Sequence, residues 1–271
     1  MASATASLVW SEGDLYAVDE APDEVRTLMG SVLGLSPAVH VTPGVLLGTQ
    51  VRILAIAATS LGYTGYDAAQ VAAQLEELDE PSLVALVPAP DSHKAMPPGE
   101  AWSVRTETFL PPSQLGAAAE PDGLRLATSP FRRNHTNPAA SVQLMDDTEL
   151  WAGAVRRDDV DATLWLNLSE HVAGVDQHAL LAVVDGALVT PSPEHGAVRT
   201  AWRQAMVIDS GATEVPLGLD DLFRADAVVC LTTWGDVVAV ASLDGRLVGD
   251  AETSVGLVAT LGDLVVQEDD R

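Results

Sequence analysis

The stretch Val183-Val184-Asp185-Gly186-Ala187-Leu188-Val189-Thr190-Pro191 decides the reading of the chain. Two apolar runs flank Asp185-Gly186, a pair that supplies the positive φ of a two-residue hairpin turn, so strands are predicted at 179–184 and 187–189. Working backwards, 163–167 and 124–128 read as strands and 147–157 as a helix. Working forwards, 194–209 reads as a helix, 220–224 as a short one, 227–231 and 237–243 as strands, and 254–261 as a last helix. In the first half, apolar alternation around Ser11 to Asp14 suggests a hairpin of Leu8-Val9-Trp10 with Leu15-Tyr16-Ala17. A helix is predicted at 51–61, stopping at Gly62, and another at 67–78 with Asp67 as its cap and Pro81 after its end. Strands at 82–87 and 102–109 enclose a proline-rich loop, 88–99. The stretch 111–123, PPSQLGAAAEPDG, carries no period and reads as a linker between an N-terminal unit, 1–110, and a C-terminal unit, 124–271. Strands dominate and clean βαβ units are few, so the class expected is mixed α+β.

The 271 residues are enough for two modest domains, and 39 acids against 14 bases leave a net charge of −25. Such a surface repels phosphate backbones and anionic headgroups, so nucleic acid and membrane surfaces are excluded as partners. The longest apolar stretch, 45–61, is interrupted by Gln50 and Arg52 and is too polar to span a bilayer. The first residues lack the basic and apolar blocks of a signal peptide, and Cys230 is the one cysteine, so a cytoplasmic protein without an internal disulfide is expected. Lys94 is the single lysine, which leaves 14 − 1 = 13 arginines. Any chemistry that needs a lysine amine therefore has one candidate.

The order of motifs in the second half resembles the class IV (fold type IV) pyridoxal-phosphate enzymes, the branched-chain and D-amino acid aminotransferases and aminodeoxychorismate lyase. The hairpin ending in Thr190-Pro191 is similar to that family's. It is followed by His195-Gly196-Ala197-Val198-Arg199 in place of its glycine turn and helix start, and then by Gly211-Ala212-Thr213-Glu214-Val215 and Leu219-Asp220-Asp221-Leu222. Cys230 to Val240 resembles its last strand pair. Upstream, Thr49-Gln50-Val51-Arg52 with Leu61-Gly62 is a fainter match. The resemblance implies two small α/β subdomains of the D-amino acid aminotransferase type, a site at their junction and a homodimer.

Two departures bear on chemistry. Family members carry a Schiff-base lysine three residues before an asparagine; if Asn137 is that asparagine, Asn134 stands in the lysine's place. The glutamate that pairs with the pyridine nitrogen lies twelve residues before the hairpin glycine, and counting back from Gly186 lands on Gly174. An amide cannot form an imine, and without that acid the ring is a weak electron sink. The expectation is therefore chemistry without a cofactor in the old pocket, pyridoxal phosphate entering only non-covalently or through Lys94.

The catalytic candidates are His135, an imidazole fit for acid–base work near neutral pH, and Asn134 beside it; on a strand the two would face opposite ways. The anion-binding candidates are Arg52, which matches the family's phosphate-cup arginine, with Arg133, Asn137, Gly196, Thr232 and Thr233. The partner expected is a small acid or phosphate ester. His171, His178 and His195 lack the close spacing of a metal site, so none is expected. Three functions stay open: cofactor-independent chemistry, a non-catalytic binding protein, and an aminotransferase or lyase that uses Lys94.

Overall fold

A computed structural model describes residues 7–11, 14–17, 37–62, 66–88, 101–108, 123–144, 152–155 and 157–269. The chain divides into two compact units, Met1–Pro111 with Val142–Thr148, and Pro112–Ser141 with Glu149–Arg271. The predicted loop 88–99, with Lys94, lies outside the described residues except for Pro88. The linker 111–123 does so except for Gly123, and most of the predicted helix 147–157 does as well.

The first unit holds an antiparallel five-stranded sheet in the order β2-β1-β5-β4-β3, built from β1 (Ser7–Ser11), β2 (Asp14–Ala17), β3 (Ala38–Val41), β4 (Ser82–Pro88) and β5 (Ala101–Thr108). The predicted N-terminal hairpin forms, with Leu8 opposite Ala17. Helix α1 (Leu47–Ser60) starts a turn before its predicted position, and α2 (Ala68–Glu76) is capped by Asp67, whose carboxylate accepts from the Ala69 and Gln70 N–H groups. Leu54, Ala58, Val71 and Leu75 bury their helix faces against Val39, Val41, Val84 and Leu86, the period-3.6 stripes meeting a β-branched sheet face.

The second unit is built on a larger sheet in the order β11-β10-β9-β12-β13-β6-β7-β8, with β14 beside β13. Its strands are β6 (Leu124–Arg133), β7 (Ala162–Asn167), β8 (Val172–Val175), β9 (Ala179–Val184), β10 (Ala187–Pro191), β11 (Thr213–Val215), β12 (Ala227–Leu231), β13 (Val237–Leu243) and β14 (Arg246–Leu247). The Asp185-Gly186 turn has φ values of 51° and 76° and sets Ala187 opposite Val184, as its dipeptide predicts. Strand β6 runs parallel to both of its neighbours, β7 and β13. Helices α3 (Ala201–Ser210), α4 (Leu219–Arg224) and α5 (Ala251–Asp269) complete the unit.

The helix predicted at 194–209 is corrected. Residues Pro193–His195 form one 310 turn, Gly196 stops it at φ 93°, and α3 begins only after Thr200, whose hydroxyl caps Arg203 N–H. A residue in the left-handed region ends a helix, so the apolar period on either side belongs to two elements. The core of this unit runs from Leu124, Leu164 and Val172 through Leu180 and Val228 to Cys230, which is fully buried. Burial pushes the Cys230 thiol up, so it is inert. Among the described residues no helix is long and apolar enough to cross a membrane.

Candidate functional site

In the second unit, the turn between β12 and β13 is tied by Thr232, whose Oγ accepts from the Trp234 N–H at 3.3 Å and the Asp236 N–H at 3.0 Å. The Thr232 N–H donates to the Asp236 carbonyl, and Gly235 takes φ 102° at the tip. Thr232 is thus a turn organiser. Thr233 is buried beside it, and its N–H donates to His178 Nδ1 at 3.2 Å. Burial lowers the His178 imidazole to about 4, so at neutral pH the ring is uncharged and Nδ1 is the acceptor. Gly174, in β8, has φ 147°, and a Cβ there would lie 3.0 Å from the His178 carbonyl oxygen.

Asp176 sits between them in sequence with its carboxylate on the Thr163 N–H at 3.4 Å, and desolvation raises it to about 6. The folded protein holds this proton more tightly than the unfolded chain. Its stabilising contribution is therefore complete at low pH and is lost as pH rises through about 6. His178 acts in the opposite sense: the unfolded chain takes up the proton first, and stability is lost as pH falls from the ordinary histidine range toward about 4. Asparagine tolerates the φ of 49° at this position and can keep the Thr163 bond. We expect Asp176→Asn to raise the urea midpoint at pH 7.5 and to steepen its fall between pH 6.5 and 4.5.

At the end of β6, in the same unit, the side chains separate into structural and convergent groups. Arg132 forms a two-pronged ion pair with Glu170, at 2.8 and 2.9 Å. Arg133 is buried, 2% exposed, and donates to the Gly196 carbonyl at 3.3 Å. The strand ends there, so the alternation that would set Asn134 and His135 on opposite faces does not apply: 134–137 form a turn. Asn134 is exposed and its Oδ1 accepts from both the N–H and the hydroxyl of Thr136. Asn137 is also exposed and accepts from the Ala139 N–H, opening a 310 turn at Pro138–Ser141. Both asparagines do local backbone work, as Asn does in turns. His135 lies beside Gly196, where a Cβ would meet His135 Cβ at 3.4 Å and Arg133 Cδ at 3.7 Å. The structure thus groups Arg133, His135 and Gly196 and brings in His195, 6.4 Å from the His135 ring, and His171, 4.9 Å from the His195 ring. Sequence spacing hid this grouping, because three separate turns deliver its members.

Arg52 belongs to the first unit, where it is exposed on α1 and donates to Thr49 Oγ at 3.3 Å.

Comparison with known proteins places this geometry. No family model and no curated protein matches the chain. Solved structures do. The branched-chain aminotransferase from Thermoproteus uzoniensis with norvaline is similar at TM-score 0.75 and 18% identity, covering 97% of this chain and 96% of that one. The T.th. branched-chain amino acid aminotransferase with pyridoxamine 5'-phosphate reaches 0.74 at 18% identity, over 98% and 94%. A hypothetical aminotransferase from Mycobacterium tuberculosis in its PLP-bound form reaches 0.72 at 16% identity, over 97% and 100%. The fold is that of the class IV aminotransferases.

These neighbours overturn the expectation of a protein without a cofactor: two of them hold pyridoxamine or pyridoxal phosphate in this fold. The described residues fit such a group unevenly. Thr233 brings a hydroxyl, a donor of the kind a phosphate accepts from, to the turn between β12 and β13. Asn134 brings an amide tied into its own turn, a group that cannot form an imine. Gly174 brings no acid, and its φ of 147° with the His178 carbonyl oxygen 3.0 Å from its Cβ position would strain any side chain there.

Proposed function

We propose that this chain is an enzyme of the aminotransferase or lyase type that takes pyridoxal phosphate by its phosphate end and acts on a small carboxylic acid. The observation that carries the reading is the likeness of the whole chain to structures that hold this group, 94% of one and all of another being covered. When bound, the coenzyme supplies an electron sink for a bond breaking beside an amino group. Thr233 would hold the phosphate, and His178 must release the Thr233 N–H for it to be used. His135 is the group that would move a proton. Lys94, the one lysine, is the only side-chain amine for covalent attachment. We take the protein to be a homodimer, in keeping with the class.

Pyridoxal phosphate added to the purified protein should give a visible band and a higher melting temperature. Borohydride should then fix the label on the peptide that contains Lys94. Lys94→Ala should lose that label. Absence of both the band and the thermal shift at saturating coenzyme would overturn the proposal. A second reading, favoured by Asn134 and Gly174, is a protein that binds the coenzyme without turnover; it predicts the thermal shift, no fixed label and no reaction with any amino acid.

A further inference from the structure

A chain of net charge −25 concentrates basic groups at one place in its second unit. His195 lies between His171, with ring centroids 4.9 Å apart, and His135, 6.4 Å away. Arg133 adds a buried guanidinium at the Gly196 carbonyl, on the residue that follows His195. Two of the three acids nearby are already engaged. Glu170 is paired with Arg132, and Asp221, which also feels His171, is held by the Gly218 N–H and Arg224. Glu194 is exposed. The ring atoms His135 Nδ1 and His171 Nδ1 are buried and have no hydrogen-bond partner among the described residues. Buried polar atoms are nearly always satisfied by protein, water or ligand, so two such atoms in one cluster leave acceptor or donor capacity for a bound group.

The scaffold holding these rings is itself rigid. Asn167, fully buried, accepts from the Ser169 and His171 N–H groups and donates to the His195 carbonyl. A neutral imidazole offers one N–H and a protonated ring two, while the guanidinium always donates; protonation therefore adds both donors and positive charge, and each added proton repels the next. His195 is harder to protonate chiefly because it is desolvated, then because His171 and His135 stand beside it, with Glu194 opposing. A negative oxygen group would relieve that repulsion and accept from the rings.

We propose that His135, His171 and His195, together with Arg133, form a proton-linked binding site for the oxyanion of a small acid. Because the ligand favours the charged rings, its binding tightens as pH falls through the histidine range. The site does not rest on the coenzyme reading, and its test uses no coenzyme.

The probe is sulfate, whose charge is constant across the pH range, with acetate as a second arm to separate a dianion from a carboxylate, both at fixed ionic strength. The six histidines make imidazole NMR of the full chain readable. We expect saturable movement of the His135, His171 and His195 signals with one of these probes, an upward shift of their titration midpoints, and binding about tenfold or more tighter at pH 6 than at pH 8. His195→Gln should weaken binding while leaving the His40 signal in place as a control for the fold. Movement of His178 alone would put the anion at Thr233 and overturn the inference, as would an equal response to chloride. Stoichiometric binding of Zn2+ that displaces sulfate would overturn it in favour of a metal; among the described residues no group of metal-ligating side chains has that geometry.

Discussion

Gly235→Ala should cost the protein about 3 kcal/mol, from about 1–2 kcal/mol of left-handed backbone strain and the rest from a clash. The new Cβ would lie 2.7 Å from Trp202 Cε2 and 3.0 Å from two further atoms of that indole. Trp202 is buried in α3, 3% exposed, so the ring cannot swing away into solvent. For a unit of this size the melting temperature should fall by about 6–12 °C. Gly245→Ala is the control: φ is 76° there, but nothing lies within 4 Å of the Cβ position, so only the strain of about 1 kcal/mol remains. If the two variants melt together, Trp202 does not brace this turn. Because Thr232 and Thr233 sit in the same turn, Gly235→Ala should also weaken whatever the Thr233 N–H holds.

Asn167→Ala should be of similar size, about 2–4 kcal/mol, because it strands two backbone donors and a carbonyl in a buried place. The amide side chain satisfies the Ser169 and His171 N–H groups and the His195 carbonyl at 2.8–3.0 Å. Asn167→Asp keeps both acceptor bonds; ionised it loses the donor and buries a charge, whereas protonated it regains an O–H donor, so it should lie between wild type and alanine at low pH. Denaturant midpoints give the energies. The imidazole signals of His171 and His195 give the specific readout: both should move in Asn167→Ala, while an unrelated cavity of equal cost, such as Leu54→Ala in the first unit, should leave them in place.

Local chemistry explains which elements were legible. Asp185-Gly186 fixed a hairpin register by itself, and Asp67 marked a helix start. Val172–Val175 was invisible, since four small apolar residues with a glycine carry no period; only pairing with β7 makes them a strand. The predicted helix at 194–209 failed because periodicity cannot see that Gly196 sits at φ 93°. At the site, Asn134 stood out as a candidate, yet its local role was not legible: the cluster of Asn, Thr and Pro at 134–138 encodes a turn that ties up both amides. The grouping of His171 and His195 depends on Asn167 joining two turns through buried hydrogen bonds, which no spacing rule reports.

Strand β6 lies inside its sheet with parallel partners on both sides, and Leu124 pairs with Val240, more than a hundred residues later. During synthesis one flank of that strand must wait for nearly the whole unit to emerge. Until then it presents an open hydrogen-bonding edge to any neighbour, the situation in which chains associate wrongly. The segment that ends in Arg133 is therefore a part of the nascent protein that stands to gain from a chaperone.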